Sequence, residues 1–221
     1  MILNGHVLSA YNPGLMKLAS RAFASASDEN EDRHCNALLP LLWTFDDGLQ
    51  DLLAIDARLR GDFGVHFRFF ICPQLVDQYS AGQTASVQGK LQNAGARLLS
   101  WDQIGRLHEK GHVLGLHGND HSDFNAMSAA EMGDQHESSI HLLHQRLGIK
   151  TDSFAVPFGR VDSATSNVIP VAKQYYRRIY LSDNRLAPTR HADLYNRRHS
   201  EFGNTVLPSV LKGVLQHLYR S

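Results

Sequence analysis

The chain has 221 residues, with 22 basic and 22 acidic side chains and a formal net charge of +0, which excludes a nucleic-acid binder working through a generally basic surface. Its length is about that of one domain and enough to bury a substantial core. With 43% hydrophobic and 20% charged residues it is not a disordered chain, and no apolar run reaches the roughly 18 residues of a spanning helix.

In chain order, Leu15, Leu18, Ala19, Ala22 and Phe23 recur at helical spacing, and the polar run 27–36 reads as a loop. Residues 1–36 are therefore expected to be an N-terminal helix and loop extension, with a single domain over 37–221. The small residues from Ala22 to Ser27 resemble a leader cleavage site. However, Asn12, Lys17 and Arg21 interrupt any apolar segment before them and no basic residue precedes Lys17, so a cytoplasmic protein is expected. Cys35 and Cys72 belong to no CxxC pair and build no disulfide framework.

From Ala37 a short, continuously apolar run to Phe45 predicts a strand buried on both faces, followed by a helix carrying Leu49, Leu52, Leu53 and Leu59. A second strand is predicted over 65–72 and a surface loop over 80–89. Ser100 with Gln103 forms the pattern of a capping box, and Gly111 suits the end of the helix it opens. A strand is predicted over 112–117. Ser128 with Glu131 opens a long helix with the stripe Met132, His136, Ile140, Leu143 and Leu147, closed by Gly148. Short strands are predicted over 153–156 and 179–181, and Val206, Val210, Leu211, Val214 and Leu218 predict a last amphipathic helix. Alternating strands and helices indicate an α/β fold with a parallel sheet or barrel.

Two adjacent acids, Asp46 and Asp47, follow the first strand, at the edge where α/β folds place their sites. They repel unless a cation separates them, which suggests a metal ligand beside a general base; read alone, the pair points first to a cap for the helix after Gly48. His117 and His121 follow a later strand, and Gly118 and Asn119 between them favour a turn that converges both rings. Of the 13 histidines, His108 and His112 straddle a helix end, His141 and His144 lie on a solvated face, and His136 reads as a packed core residue. Together, the acids and His117 with His121 supply two imidazoles and one carboxylate, the recurring ligand set of catalytic zinc and of other hydrolytic divalent metals. After the next strand, Pro157 and Gly159 predict a rigid turn that aims a backbone N–H into the site.

TFDDG at 44–48, LSWDQI at 99–104, GHVLGLH leading into the HxxxH pair, and FAVPFG at 154–159 stand in that order. This set resembles the polysaccharide deacetylases of the NodB-homology type, carbohydrate esterase family four, in the subgroup reading FAxPFG. The match runs from about Leu38 to Gly159. The resemblance implies a distorted (β/α) barrel with fewer than eight regular strands. It also implies a divalent metal, zinc before other ions, held by Asp47, His117 and His121, with Asp46 as general base. The implied activity is hydrolysis of a carbon–nitrogen, non-peptide bond: removal of an N-acetyl group from an amino sugar, as an oligosaccharide, lipid-linked or nucleotide-linked intermediate of surface polysaccharide. The backbone N–H of Phe158 would stabilise the oxyanion. Where well-known members carry an arginine, Ala155 stands here, with Arg160 and Arg198 as candidate substitutes. The later tryptophan motif is absent, and His199 is the first choice for the general acid, His191 the second. Deformylation, O-deacetylation, or carbohydrate or metal binding without turnover are the alternatives the same motifs allow.

Overall fold

The computed structural model describes residues 2–5, 42–63, 66–160, 167–182 and 195–201. Seven parallel strands among them close into a barrel in sequence order: β1 (Ile2–Gly5), β2 (Leu42–Phe45), β3 (Arg68–Ile71), β4 (Val113–Leu116), β5 (Ser153–Arg160), β6 (Arg178–Ser182) and β7 (Tyr195–Glu201). The ring is closed by β1, which pairs with β2 on one side and β7 on the other. It is distorted between β4 and β5, where a single register pair, Leu116 with Phe154, joins the strands. A register shift between Ala155 and Arg160 follows. The helices are α1 (Leu52–Phe63), α2 (Pro73–Ser80), α3 (Thr84–Lys90), α4 (Trp101–Glu109), α5 (Ala129–Leu147) and α6 (Val168–Ala172).

Strand residues alternate between two environments, as the period of two requires. Phe69, Ile71, Leu114, Leu116, Phe154 and Leu181 point outward and pack with helix residues such as Leu52, Ile104, Leu107, Met132 and Leu143 in the main core. Phe70, Ala155 and Tyr180, from three different strands, form a separate apolar layer inside the barrel. Arg68, also buried inside, donates from Nη1 to Ser153 Oγ at 2.8 Å and to the Tyr180 hydroxyl.

Both capping boxes are present: Ser100 and Ser128 each accept from the backbone N–H three residues on, and Gln103 and Glu131 reach back. Gly111 and Gly148 end their helices with φ of +92° and +69°. Three expectations are corrected. Ile2–Gly5 lies within the barrel rather than in a helix and loop extension, because its backbone bonds to strands on both sides. The expected loop over 80–89 contains most of α3, which buries Val87 against Leu75 and Leu98 in a second small core. Tyr195–Glu201 is β7, so the end of the segment 183–199, which reads as a loop in the sequence, is strand, held by its two neighbours despite having no apolar alternation. The expected helix around Leu15–Phe23, the loop 27–36 with Cys35, and the helix carrying Val206 to Leu218 lie outside the described residues.

Candidate metal centre

The site forms at the C-terminal ends of β2, β4 and β5. Asp46 follows β2 directly and is 3% exposed. Asp47 comes next with φ +68°. Helix α1 begins only at Leu52, so neither acid is its N-cap.

His117 follows β4, its N–H donating to the Ile71 carbonyl at 2.8 Å. Its Nδ1 lies 2.8 Å from the Ala155 carbonyl. A carbonyl only accepts, so Nδ1 carries the proton and Nε2 presents its lone pair. The Cys72 thiol, at the end of β3, donates to the His117 carbonyl at 2.9 Å. The chain then turns sharply. Gly118 has φ +74°, and a Cβ there would lie 3.0 Å from the Phe124 ring, so both conformation and space call for glycine. His121 follows with φ +60°, a left-handed conformation that costs a non-glycine residue roughly 1–3 kcal/mol. Among described residues, three of the four non-glycine positions with positive φ are Asp47, His121 and Phe158, so this strain is gathered at the site.

Asp47 Oδ1 lies 3.6 Å from His117 Nε2 and 3.4 Å from His121 Nε2. These gaps exceed a good charge-assisted hydrogen bond, about 2.7–2.9 Å. They match the spacing of about 3.4 Å between tetrahedral ligands whose bonds to an ion are about 2.1 Å. The ligand atoms of Asp47, His117 and His121 all lie within 4.8 Å of one another. A lone pair on His117 Nε2 facing a carboxylate oxygen is unfavourable without a cation between them, so the donor set and its spacing fit a divalent ion. Burial pushes the His121 imidazole below its ordinary pKa, with the Asp46 carboxylate opposing, which favours the neutral form a ligand needs. Asp46 Oδ2 lies 4.0 Å from His117 Nε2, beside the triad.

Phe158 lies within β5 rather than in a turn beyond a shorter strand. The irregular register there accommodates its φ of +52°. Phe158 is 41% exposed, and its ring meets His121 edge to face, centroids 4.6 Å apart. His199 lies on β7 opposite Leu3 of β1, and Arg198 opposite Ser182 of β6. Arg160 ends β5, and His191 lies outside the described residues. Elsewhere, His112 Nδ1 accepts the Phe67 N–H at 3.2 Å and its Nε2 lies 2.8 Å from Asp56, a structural arrangement. His136 is fully buried, and His141 and His144 are exposed.

Sequence reasoning passed over the groups that aim His117. The Ala155 carbonyl and the Cys72 thiol act through backbone atoms or a single thiol. The one available signal was the place of Cys72 directly after β3.

A sequence model of the polysaccharide deacetylase family matches residues 40–176. The chain belongs to the polysaccharide deacetylase family. No curated protein is a significant match to the sequence. Among solved structures, the deacetylase PplD of Streptococcus pyogenes, in complex with acetate, is similar at 17% identity and TM-score 0.73, covering 96% of each chain. IcaB from Ammonifex degensii is similar at 16% identity and TM-score 0.71, covering 96% of this chain and 97% of that one. A de-N-acetylase from Aggregatibacter actinomycetemcomitans is similar at 14% identity and TM-score 0.70, covering 96% and 98%. At these identities the likeness is one of fold, the NodB-type distorted barrel.

Proposed function

We propose that this family member is a metal-dependent hydrolase that removes the N-acetyl group from an amino sugar in an intermediate of surface polysaccharide assembly. The observation that carries the reading is the convergence of Asp47, His117 and His121 beside the buried Asp46. Deacetylation is supported by the family and by the acetate in the Streptococcus pyogenes structure, and N-acetyl chemistry by the de-N-acetylase among the structural relatives. The choice of an intermediate rests on the FAVPFG segment.

Asp47, His117 and His121 would hold the ion, zinc before others because two imidazoles and one carboxylate with an open position are its catalytic set. When bound, it would supply Lewis acidity toward the amide carbonyl and acidify a water. Asp46 takes the proton from the water that attacks the acetyl carbon. The Phe158 N–H donates to the oxyanion that develops. As the carbon–nitrogen bond breaks, the proton held on Asp46 passes to the leaving amine, and acetate and a free amino sugar result.

The test is Asp46→Asn, assayed for acetate release from N-acetylated hexosamine oligosaccharides beside O-acetylated and N-formylated ones. The variant should keep its metal and lose about 10²–10⁴-fold in rate. Activity retained with metal bound would contradict Asp46 as the base, and faster release from O-acetyl or N-formyl substrates would replace the N-acetyl assignment.

A further inference from the structure

The turn that delivers His121 is gripped from three helices outside the triad. From α2, Gln74 donates its backbone N–H to the Asn119 carbonyl at 3.0 Å and accepts from Asn119 Nδ2 at 2.9 Å through Oε1. From α5, Gln135 Oε1 accepts the Asn119 N–H at 3.1 Å. At the end of α3, Lys90 Nζ pairs with Asp120 Oδ2 at 2.9 Å and reaches Ser122 Oγ at 3.4 Å, while Asp120 Oδ1 accepts the Ser122 N–H at 3.2 Å. Asn119 is nine-tenths buried, so its bonds to the two glutamines are shielded from competing water. None of these side chains is a triad member.

We propose that Asn119, held by Gln74 and Gln135, is the positioning residue that sets the affinity of the triad for its metal. Without the grip, the chain between His117 and His121 is free to relax His121 out of its left-handed backbone conformation. The imidazole then leaves the position 3.4 Å from Asp47. A ligand set that is assembled only part of the time binds its ion more weakly in proportion to the assembled fraction. The pair between Lys90 and Asp120 is more exposed, with 47% of the Lys90 side chain accessible, and contributes less because solvent screens it. The inference rests on the metal reading of the triad.

The test titrates zinc into metal-free full-length protein against a competing chelator and records the thermal midpoint of each metal-free sample. Gln135→Met removes the acceptor for the Asn119 N–H, and Asn119→Ala removes the side-chain bond, one of the three that hold Asn119. Each should weaken zinc binding by about 10–100-fold, the range for groups that orient ligands, with little change in the metal-free midpoint. Gln135→Glu keeps an acceptor oxygen and should restore affinity. Wild-type affinity in both weakening variants would overturn the proposal, and so would a fall in the metal-free midpoint that parallels the loss of zinc. If wild type itself takes up no zinc, the triad reading fails first, an outcome distinct from wild type binding tightly and the variants binding equally well.

Discussion

His136 places an imidazole among four aromatic rings, with centroids 5.1 Å from Phe124, 4.8 Å from Phe154, 5.0 Å from Tyr175 and 5.2 Å from Tyr176. Neither ring nitrogen has a hydrogen-bond partner among the described residues. Burial pushes its pKa down to about 4. In the unfolded chain the group titrates near 6.5, so as pH falls below that value the unfolded state takes up a proton that the folded state refuses. Stability is therefore lost by about 1.4 kcal/mol per pH unit, up to about 3 kcal/mol, as pH falls from about 6.5 toward 4. His136→Met should flatten this part of the profile in denaturant unfolding at pH 7 and pH 4.5. Parallel curves for wild type and variant would contradict the assignment. The sequence already identified His136 as core from its place in the α5 stripe. It could not show the aromatic cage, because Tyr175 and Tyr176 lie far along the chain, after α6.

At the scale of elements, strand interiors decide what the site can contain. Ala155 is fully buried between Phe70 and Tyr180. Phe70 fits only because its partner in register, Gly115, has no Cβ: one built there would lie 2.4 Å from the Phe70 ring. The layer is already full, so restoring the arginine usual in well-known family members is expected to overpack it and bury a charge. Ala155→Arg should lower the thermal midpoint by several degrees without raising acetate release. A stable variant with higher kcat would show that the layer is not closed to the guanidinium. Elements with strong local signals were legible in the sequence. The apolar run before Asp46 and the capping boxes at Ser100 and Ser128 are examples, since apolar periodicity and cap chemistry act within a few residues. The residues of β1, β7 and α3 carried no such signal. ILNG and YNRRHSE become strands because neighbouring strands satisfy their backbone groups, and α3 is held largely by burial of Val87. Such determinants are tertiary and leave little trace in local pattern.

Across the whole molecule, barrel closure brings strand ends that are distant in sequence onto one face. The two acids after β2, the histidine pair after β4 and Phe158 near the end of β5 meet there. Their identities were readable as motifs, because the acids and the histidine pair follow their strands directly and Phe158 stands between Pro157 and Gly159. Their mutual distances were not, since these depend on strand register and on the turn held by Gln74 and Gln135. In the proposed function this convergence holds a catalytic divalent ion. The most direct measurement is the metal content of purified protein, by elemental analysis after reconstitution with zinc, for wild type beside His117→Ala. Wild type is expected to carry about one ion per chain, as for a three-ligand catalytic site, and the variant essentially none. Wild type without bound metal, or a variant that keeps it, would rule out an ion held by Asp47, His117 and His121.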